Sequence, residues 1–337
     1  MQTIVVTGAS GFVARWVIQD LLAHGYAVRG SLRSLAKADE VRRSVLVGDA
    51  ADRGDALQFF AADLTAATGW VAGLRGADGV IHVASPLGHG TESEAELVAV
   101  ATSGVREVFA AAHTVGITRL VMTSSGAAAT PRASVGAVTI HPDFWTDLAD
   151  PALDPYRRSK VHAERLAWQL AAEYGLALTT ILPGAIYGPA LSAHAISSDQ
   201  MLQAMLKGWT VVPKVPLEVS DVRDLATLHR LAWASPAAVG HRYLAAAHHT
   251  DLVTVARTYQ RAYPDQRIHV VALPNPVTRL AARVVPSLRA LVPMLARQYR
   301  LSSAEPEADL GWRQRPVTQT MTDAAQSLFD HGLVARQ

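Results

Sequence analysis

Tyr156 and Lys160, in the run Tyr156-Arg157-Arg158-Ser159-Lys160, place a phenol and an ammonium four residues apart. In a helix that spacing sets both on one face, one turn apart. A phenol with a pKa of about 10 is a poor proton donor or acceptor at neutral pH, and a neighbouring cation draws it towards the working range. The chemistry on offer is proton transfer at an oxygen. Ordinary pairing on a helix surface produces the same spacing, so the pair needs support from elsewhere in the chain. Lysine usage supplies some. Of 31 basic side chains only those at positions 37, 160, 207 and 214 are Lys, so an Arg-favouring chain keeps a compact amine beside this tyrosine.

A second constellation opens the chain. Thr7 is followed by Gly8-Ala9-Ser10-Gly11-Phe12-Val13-Ala14, directly after the apolar run Thr3-Ile4-Val5-Val6. Gly8 permits a tight turn, Gly11 lets the backbone approach a pyrophosphate, and small Ala14 allows close helix–sheet packing. The free amides at the start of the next helix would hold the phosphates. The end of the second strand sets the choice of cofactor. An NAD-binding chain places Asp or Glu there, whereas this one has Gly30-Ser31-Leu32-Arg33-Ser34 with Lys37 one turn on and no carboxylate from Val28 to Ala38. Arg33 can fork onto a 2′-phosphate and Lys37 can add a point charge. NADPH is therefore the expected cofactor.

Asp63 and Leu64 follow the third strand; Asp63 can meet the adenine or cap the next helix, and the sequence leaves both roles open. The fourth strand ends His82-Val83-Ala84-Ser85-Pro86, with small residues that let backbone face the cofactor ribose, and the fifth ends Met122-Thr123-Ser124-Ser125-Gly126. Ligands of parallel sheets bind at the carboxyl ends of strands, so Ser125 can reach an oxygen that Tyr156 also touches.

Positioning these residues requires alternating strands and helices. Strands are predicted at Ile4–Thr7, Val28–Leu32, Leu57–Ala61, Val80–Val83, Leu120–Thr123 and Leu178–Leu182, and helices at Gly11–His24, Ala36–Val47, Glu94–Val115 and Tyr156–Tyr174. This alternation specifies an α/β fold, a Rossmann-type doubly wound parallel sheet. From Pro189 onward prolines mark shorter elements. The expected division is a nucleotide-binding domain over 1–188, returning near 217–245 through the stretch Val219–Ala226, and a smaller C-terminal substrate-binding lobe over 189–216 and 246–337.

Composition narrows the function. The 337 residues are 50% hydrophobic and 18% charged, so a large core is expected, and the formal net charge of +2 offers no face for nucleic acid. Without cysteine there is no disulfide, thiol nucleophile or thiolate metal site, and the 13 histidines show no metal-ligand spacing. No apolar run spans a membrane and no leader pattern precedes the first strand, so a cytoplasmic location is expected. The segment Val277–Arg300 mixes apolar residues with arginines, but Pro286 and Pro293 divide it into short helices suited to packing in the smaller lobe.

Together the segments TGASGFVA, SLRS with Lys37, ADL, VIHVASP, RLVMTSS, DFWTDL, YRRSK, ILPGAIYGP and VSDVRDLA resemble the extended short-chain dehydrogenase/reductases. The resemblance is to the branch of dihydroflavonol reductases, cinnamoyl-CoA reductases and methylglyoxal/aldehyde reductases. It implies that Ser125, Tyr156 and Lys160 are catalytic, that Pro183-Gly184-Ala185-Ile186 hold the nicotinamide amide through backbone groups, and that Ser198 adds a contact. The implied activity is NADPH-dependent reduction of an aldehyde or ketone. Val100–Val105 lacks the Asn that many relatives use in a lysine–water proton relay, which puts that relay in doubt. The substrate pocket is expected around Pro86, Leu87, Ser125 and Tyr156, with Phe144, Trp145 and Tyr187 as apolar walls or plain core. Rival readings are a sugar epimerase or dehydratase, a hydroxysteroid-type dehydrogenase and a non-enzymatic NADP-sensing protein; a monomer and a homodimer are equally compatible with the sequence.

Overall fold

Short β-branched runs separated by helices can pair in parallel, because each helix supplies the crossover that parallel strands need. The computed structural model describes residues 1–85, 92–194, 200–246, 248–289 and 291–336. In chain order the strands begin with β1 (Thr3–Val6), β2 (Ala27–Leu32), β3 (Leu57–Ala61), β4 (Gly79–His82) and β5 (Arg119–Thr123). They continue with β6 (Ala137–Ile140), β7 (Ala177–Pro183), β8 (Ala185–Tyr187), β9 (Trp209–Pro213) and β10 (Pro216–Asp221). Last come β11 (Arg242–Ala245), β12 (His248–Asp251), β13 (His269–Leu273) and β14 (Gln298–Leu301). Seven of them form one parallel sheet in the order β11-β7-β5-β4-β1-β2-β3. Chain direction along the sheet reverses between β1 and β4, the point where open α/β sheets leave a crevice for ligands.

The helices that matter here are α1 (Phe12–Ala23), α2 (Ala38–Val45), α3 (Trp70–Leu74), α4 (Glu94–Thr114), α5 (Pro155–Tyr174), α6 (Gln200–Leu206), α7 (Val222–Ala234) and α8 (Leu252–Ala262). Strand β1 shows how they sandwich the sheet. Its Ile4 and Val6 join a core with Leu21 and Leu22 of α1 and Leu225 and Leu228 of α7. The intervening Val5 joins the opposite core with Val105 and Phe109 of α4 and Ala163 and Ala167 of α5. Alternation along the strand thus fills two cores, each fully buried aliphatic contributing roughly 1.5–3 kcal/mol.

Three smaller sheets stand apart from the central one: β12-β10-β8, β13-β9 and β14-β6. The chain crosses from the central sheet to the first of these at Gly184, where an added Cβ would lie 2.1 Å from the Glu218 carbonyl oxygen. Around them Leu202 and Leu206 of α6, Leu252 and Tyr259 of α8, and Met321 and Leu328 of the helix Val317–Asp330 form a separate core.

The return to the central sheet differs from the sequence expectation. Val219–Ala226 does not pair there: its first part belongs to β10, which pairs with β8 and β12, and α7 starts at Val222. Asp221 causes the switch, its side chain accepting a hydrogen bond from the Arg223 amide at 2.8 Å and so capping the helix. The strand that rejoins is β11, paired with β7. The segment 277–300 divides as its prolines imply into the helices Asn275–Ala281 and Pro286–Arg289 and a turn at Val292–Met294. Strand β14 follows and pairs with β6. Among the described residues no helix is long and apolar enough to cross a membrane.

Candidate active site

One cavity of about 890 Å³ runs along the carboxyl edge of the sheet. At one end lies the turn after β1. The buried Thr7 hydroxyl accepts from the amides of Val83 (3.0 Å) and Ala84 (2.9 Å) and meets His82 Nδ1 at 2.9 Å, which ties β1 to β4 at the reversal point. Burial, reinforced by the Lys160 charge, pushes His82 down to about 4, so it is neutral. Gly8 has φ +69°, and a Cβ there would lie 2.9 Å from that of Ala84. Its amide donates to Ser31 Oγ at 2.9 Å. Gly11 caps α1 without a side-chain hydrogen bond, so the first amides of the helix have no side-chain cap among the described residues. Gly8, Ser10, Gly11, Phe12 and Val13 line the cavity, whereas Ala9 is fully buried beneath it.

Arg33, Asp63, Leu64, Val83, Ala84, Ser85 and Thr123 also line the cavity. The Asp63 carboxylate accepts from the Thr65 hydroxyl (2.6 Å) and amide (2.8 Å), which with the nearby Arg33 charge lowers its pKa. It therefore shapes its own turn and faces the cavity. Lys37 is exposed at the end of a short 3₁₀ turn and is not among the lining residues. This end fits a phosphorylated dinucleotide: glycines where side chains would clash, helix amides without a side-chain cap, and a guanidinium at β2 with no carboxylate from Val28 to Ala38. Sequence reasoning missed the brace behind it. Buried Arg15 donates to Ser10 O at 3.2 Å and to both Glu40 oxygens at 2.9 and 2.7 Å, holding the turn against α2.

At the other end Ser125 follows β5 in extended conformation, its Oγ accepting from the Ala127 amide at 3.1 Å. Asp154 caps α5 through the Arg157 amide at 2.8 Å and Pro155 opens it, which sets Tyr156 in the first turn and Lys160 one turn on. The Ser125 hydroxyl lies near enough to the Tyr156 phenol to favour its ionised form. Lys160 Nζ donates to Ser85 Oγ at 2.5 Å and lies 5.1 Å from the Tyr156 ring centroid. The structure thus brings Ser125, Tyr156, Lys160 and Ser85 together.

The electrostatics differ from the simple expectation. Burial raises the Tyr156 pKa, and the opposing influences come from the Ser125 hydroxyl and the Arg157 charge, not from the expected lowering by Lys160. Burial also pushes Lys160 down to about 8. Both shifts are desolvation effects, in which a low-dielectric setting disfavours the charged form.

Beneath this wall lies Glu164 of α5, fully buried. It accepts from Ser124 Oγ (2.8 Å), Thr180 Oγ1 (2.8 Å) and Arg242 Nε (2.9 Å), joining α5 to β5, β7 and β11. Arg242 also donates to the Phe144 carbonyl at 2.8 Å and lies 3.7 Å from the Trp145 ring centroid, so Trp145 anchors its loop. Two expected pocket walls are elsewhere. Phe144 packs against the core beside Ile140 and Leu244, and Tyr187 is buried in the core of the smaller sheets; neither lines the cavity. Pro183, Gly184, Ala185 and Ile186 do line it. Pro86, Leu87 and Ser198 lie outside the described residues. The wall facing Ser125 instead comes from Leu217, Glu218, His249, Met294, Arg297 and Tyr299, which no local pattern marks.

The NAD dependent epimerase/dehydratase family matches the chain over residues 4–246. The chain belongs to that family. Within it this is an extended short-chain dehydrogenase/reductase, an NAD(P)-dependent oxidoreductase. Rice (Oryza sativa subsp. japonica) cinnamoyl-CoA reductase 1 is 34% identical over 271 residues, covering 78% of this chain and 77% of that one. Maize (Zea mays) dihydroflavonol 4-reductase is 30% identical over 278 residues, covering 78% and 75%. The yeast methylglyoxal/isovaleraldehyde reductase, crystallised with NADPH, superposes with a TM-score of 0.83 over 99% of this chain and 100% of that one at 20% identity, which shows a shared fold. In this dehydrogenase/reductase the family match covers the sheet, the glycine turn and α5, and ends before the segment that carries Met294, Arg297 and Tyr299.

Proposed function

We propose that the protein is an NADPH-dependent reductase that converts an aldehyde or ketone to the alcohol. One observation carries this reading: Ser125, Tyr156 and Lys160 stand in the wall of the cavity whose far end holds the Gly8–Val13 turn and Arg33. Bound NADPH would supply a hydride to the carbonyl carbon and leave as NADP⁺. The residues that would hold it are the Gly8–Val13 turn for the pyrophosphate, Arg33 for the 2′-phosphate, Leu64 and Asp63 beside the adenine, and Pro183–Ile186 for the carboxamide. Its reductase relatives from rice and maize and the NADPH complex of the yeast enzyme support the assignment.

Tyr156 delivers its phenolic proton to the carbonyl oxygen as the C–H bond forms. Its raised pKa keeps that proton in place at neutral pH, the state a donor requires. Ser125 holds the same oxygen and stabilises the charge that develops there. Lys160, in the same cavity wall, is placed to set its ammonium against the cofactor ribose. The Glu164 network keeps the elements carrying these groups in register.

NADPH oxidation followed against a panel of aldehydes and ketones tests the activity. Tyr156→Phe should lower turnover about 10²- to 10⁴-fold while the NADPH dissociation constant moves by less than about twofold. Retention of more than about a tenth of the turnover by the folded variant would assign the proton to another donor.

A further inference from the structure

We propose that the substrate end of the cavity contains an anion subsite in which Arg157 and Arg297 receive a carboxylate or phosphate carried by the carbonyl substrate. This rests on the reductase reading above and specifies its substrate class. Arg157 follows Tyr156 in the first turn of α5, and Arg297 immediately precedes β14; both line the cavity that Ser125 and Tyr156 face. The turn after Ser125 and the β14 segment touch. Thr130 Oγ1 lies 3.5 Å from Tyr299 Oη, and a Cβ on Gly126 would come 2.9 Å from Leu301 Cδ1. The two arginines therefore flank the reacting end and not the adenosine end.

Both guanidiniums keep donors that no protein group among the described residues takes up. Arg157 gives one nitrogen to Asp154, while its Nε is buried with no hydrogen-bond partner. Arg297 is partly buried and has no ion pair or side-chain hydrogen bond among the described residues. Burial and the Arg157 charge lower its pKa, against the weaker opposing influence of Tyr299, Asp154 and Asp150, so the two cations lie near each other in a partly desolvated region. The carboxylates on the same wall are differently engaged. Glu218 accepts from His249 Nδ1 at 2.5 Å and the Leu301 amide at 3.0 Å, with burial raising its pKa, and Glu96 caps α4 through Ser93. Two like charges held in a half-dry wall are costly, and an anion that both can fork onto removes the cost. Between them and Ser125 the wall is apolar, from Met294, Leu301 and Ala127. The ligand that fits has a carbonyl at one end, an apolar middle and an anion at the other.

Two matched pairs test this with NADPH: 4-formylbenzoate against its methyl ester, and glyceraldehyde 3-phosphate against glyceraldehyde. At least one anion should exceed its neutral partner in kcat/KM by roughly ten- to a hundredfold, mainly through KM. The pair that shows the preference separates carboxylate from phosphate. Arg297→Gln should bring the ratio close to one, and Arg297→Lys should restore part of it. Calorimetric titration of the NADPH-loaded protein with 4-(hydroxymethyl)benzoate, its methyl ester, glycerol 3-phosphate and glycerol gives a readout free of turnover. If no carbonyl compound is reduced but an anion binds at least tenfold better than its neutral partner, and Arg297→Gln abolishes the difference, the subsite stands and the reductase reading falls. If reduction proceeds and neither anion gains in rate or binding, or if Arg297→Gln keeps the preference, the subsite is wrong and the reductase reading stands.

Discussion

The nucleotide end of the cavity is lined chiefly by segments just after strands of one sheet: Gly8 and Ser10–Val13 after β1, Arg33 after β2, Asp63 and Leu64 after β3, Val83–Ser85 after β4. The substrate end draws on β10 and β12 of one small sheet and on the stretch 294–301, which runs into β14 of another. The first is backbone chemistry at a topological reversal and needs glycines, small residues and one helix terminus. The second is side-chain chemistry assembled by tertiary packing. The first end follows from the sheet itself, whereas the second depends on segments far apart in sequence.

The largest effect is expected at the Glu164 network beneath the Ser125 wall. Arg242→Met would leave the Glu164 carboxylate buried with only Ser124 and Thr180 as partners, an unpaired internal charge expected to cost about 3–5 kcal/mol in urea unfolding. The double variant Arg242→Met/Glu164→Gln should recover much of that loss, because the charge is removed with its partner. An Arg242→Met protein as stable as the parent would mean that the network carries little of the fold.

Cofactor binding sharpens the contrast. Arg33→Ala should weaken NADPH by roughly ten- to a hundredfold, leave NADH nearly unchanged and not alter the ranking of carbonyl substrates. Equal affinities for the two cofactors in the parent protein would remove Arg33 from its role, and a changed substrate ranking would show that the ends are not separable.

Lys160 gives the smallest expected effect on stability and bears on the junction. Burial holds it at about 8, below the 10.5 of an unperturbed lysine, so the unfolded chain binds the proton more tightly. The charged form therefore costs stability at every pH below about 8, and the cost fades as pH rises from there towards 10.5. Lys160→Met should be inactive yet melt a few degrees higher at pH 7, with the gap closing near pH 10. A lower melting temperature would mean that the Ser85 contact outweighs the desolvation.

Much of this was legible from spacing alone. The glycine turn, the missing carboxylate after β2 and the tyrosine–lysine pair are local patterns, because a turn and a helical face are set by residues close in sequence. Phe144 and Tyr187 show the limit of that approach. Both lie near motif segments, yet one packs beside Ile140 and the other fills a second core, since an aromatic side chain goes wherever it can be enclosed. Lys37 shows the same limit for charge: one turn beyond Arg33, it ends up on the surface outside the cavity.

By itself the sequence determined the parallel sheet, the glycine turn after its first strand and a tyrosine and lysine one helical turn apart, because strand–helix alternation and one-turn spacing need no distant partner. Tertiary structure alone decided that burial raises Tyr156, that Arg242 neutralises Glu164 beneath it, and that Arg297 comes to share a cavity with Arg157. Desolvation and long-range pairing depend on what the folded chain encloses, and enclosure is a property of the packed whole.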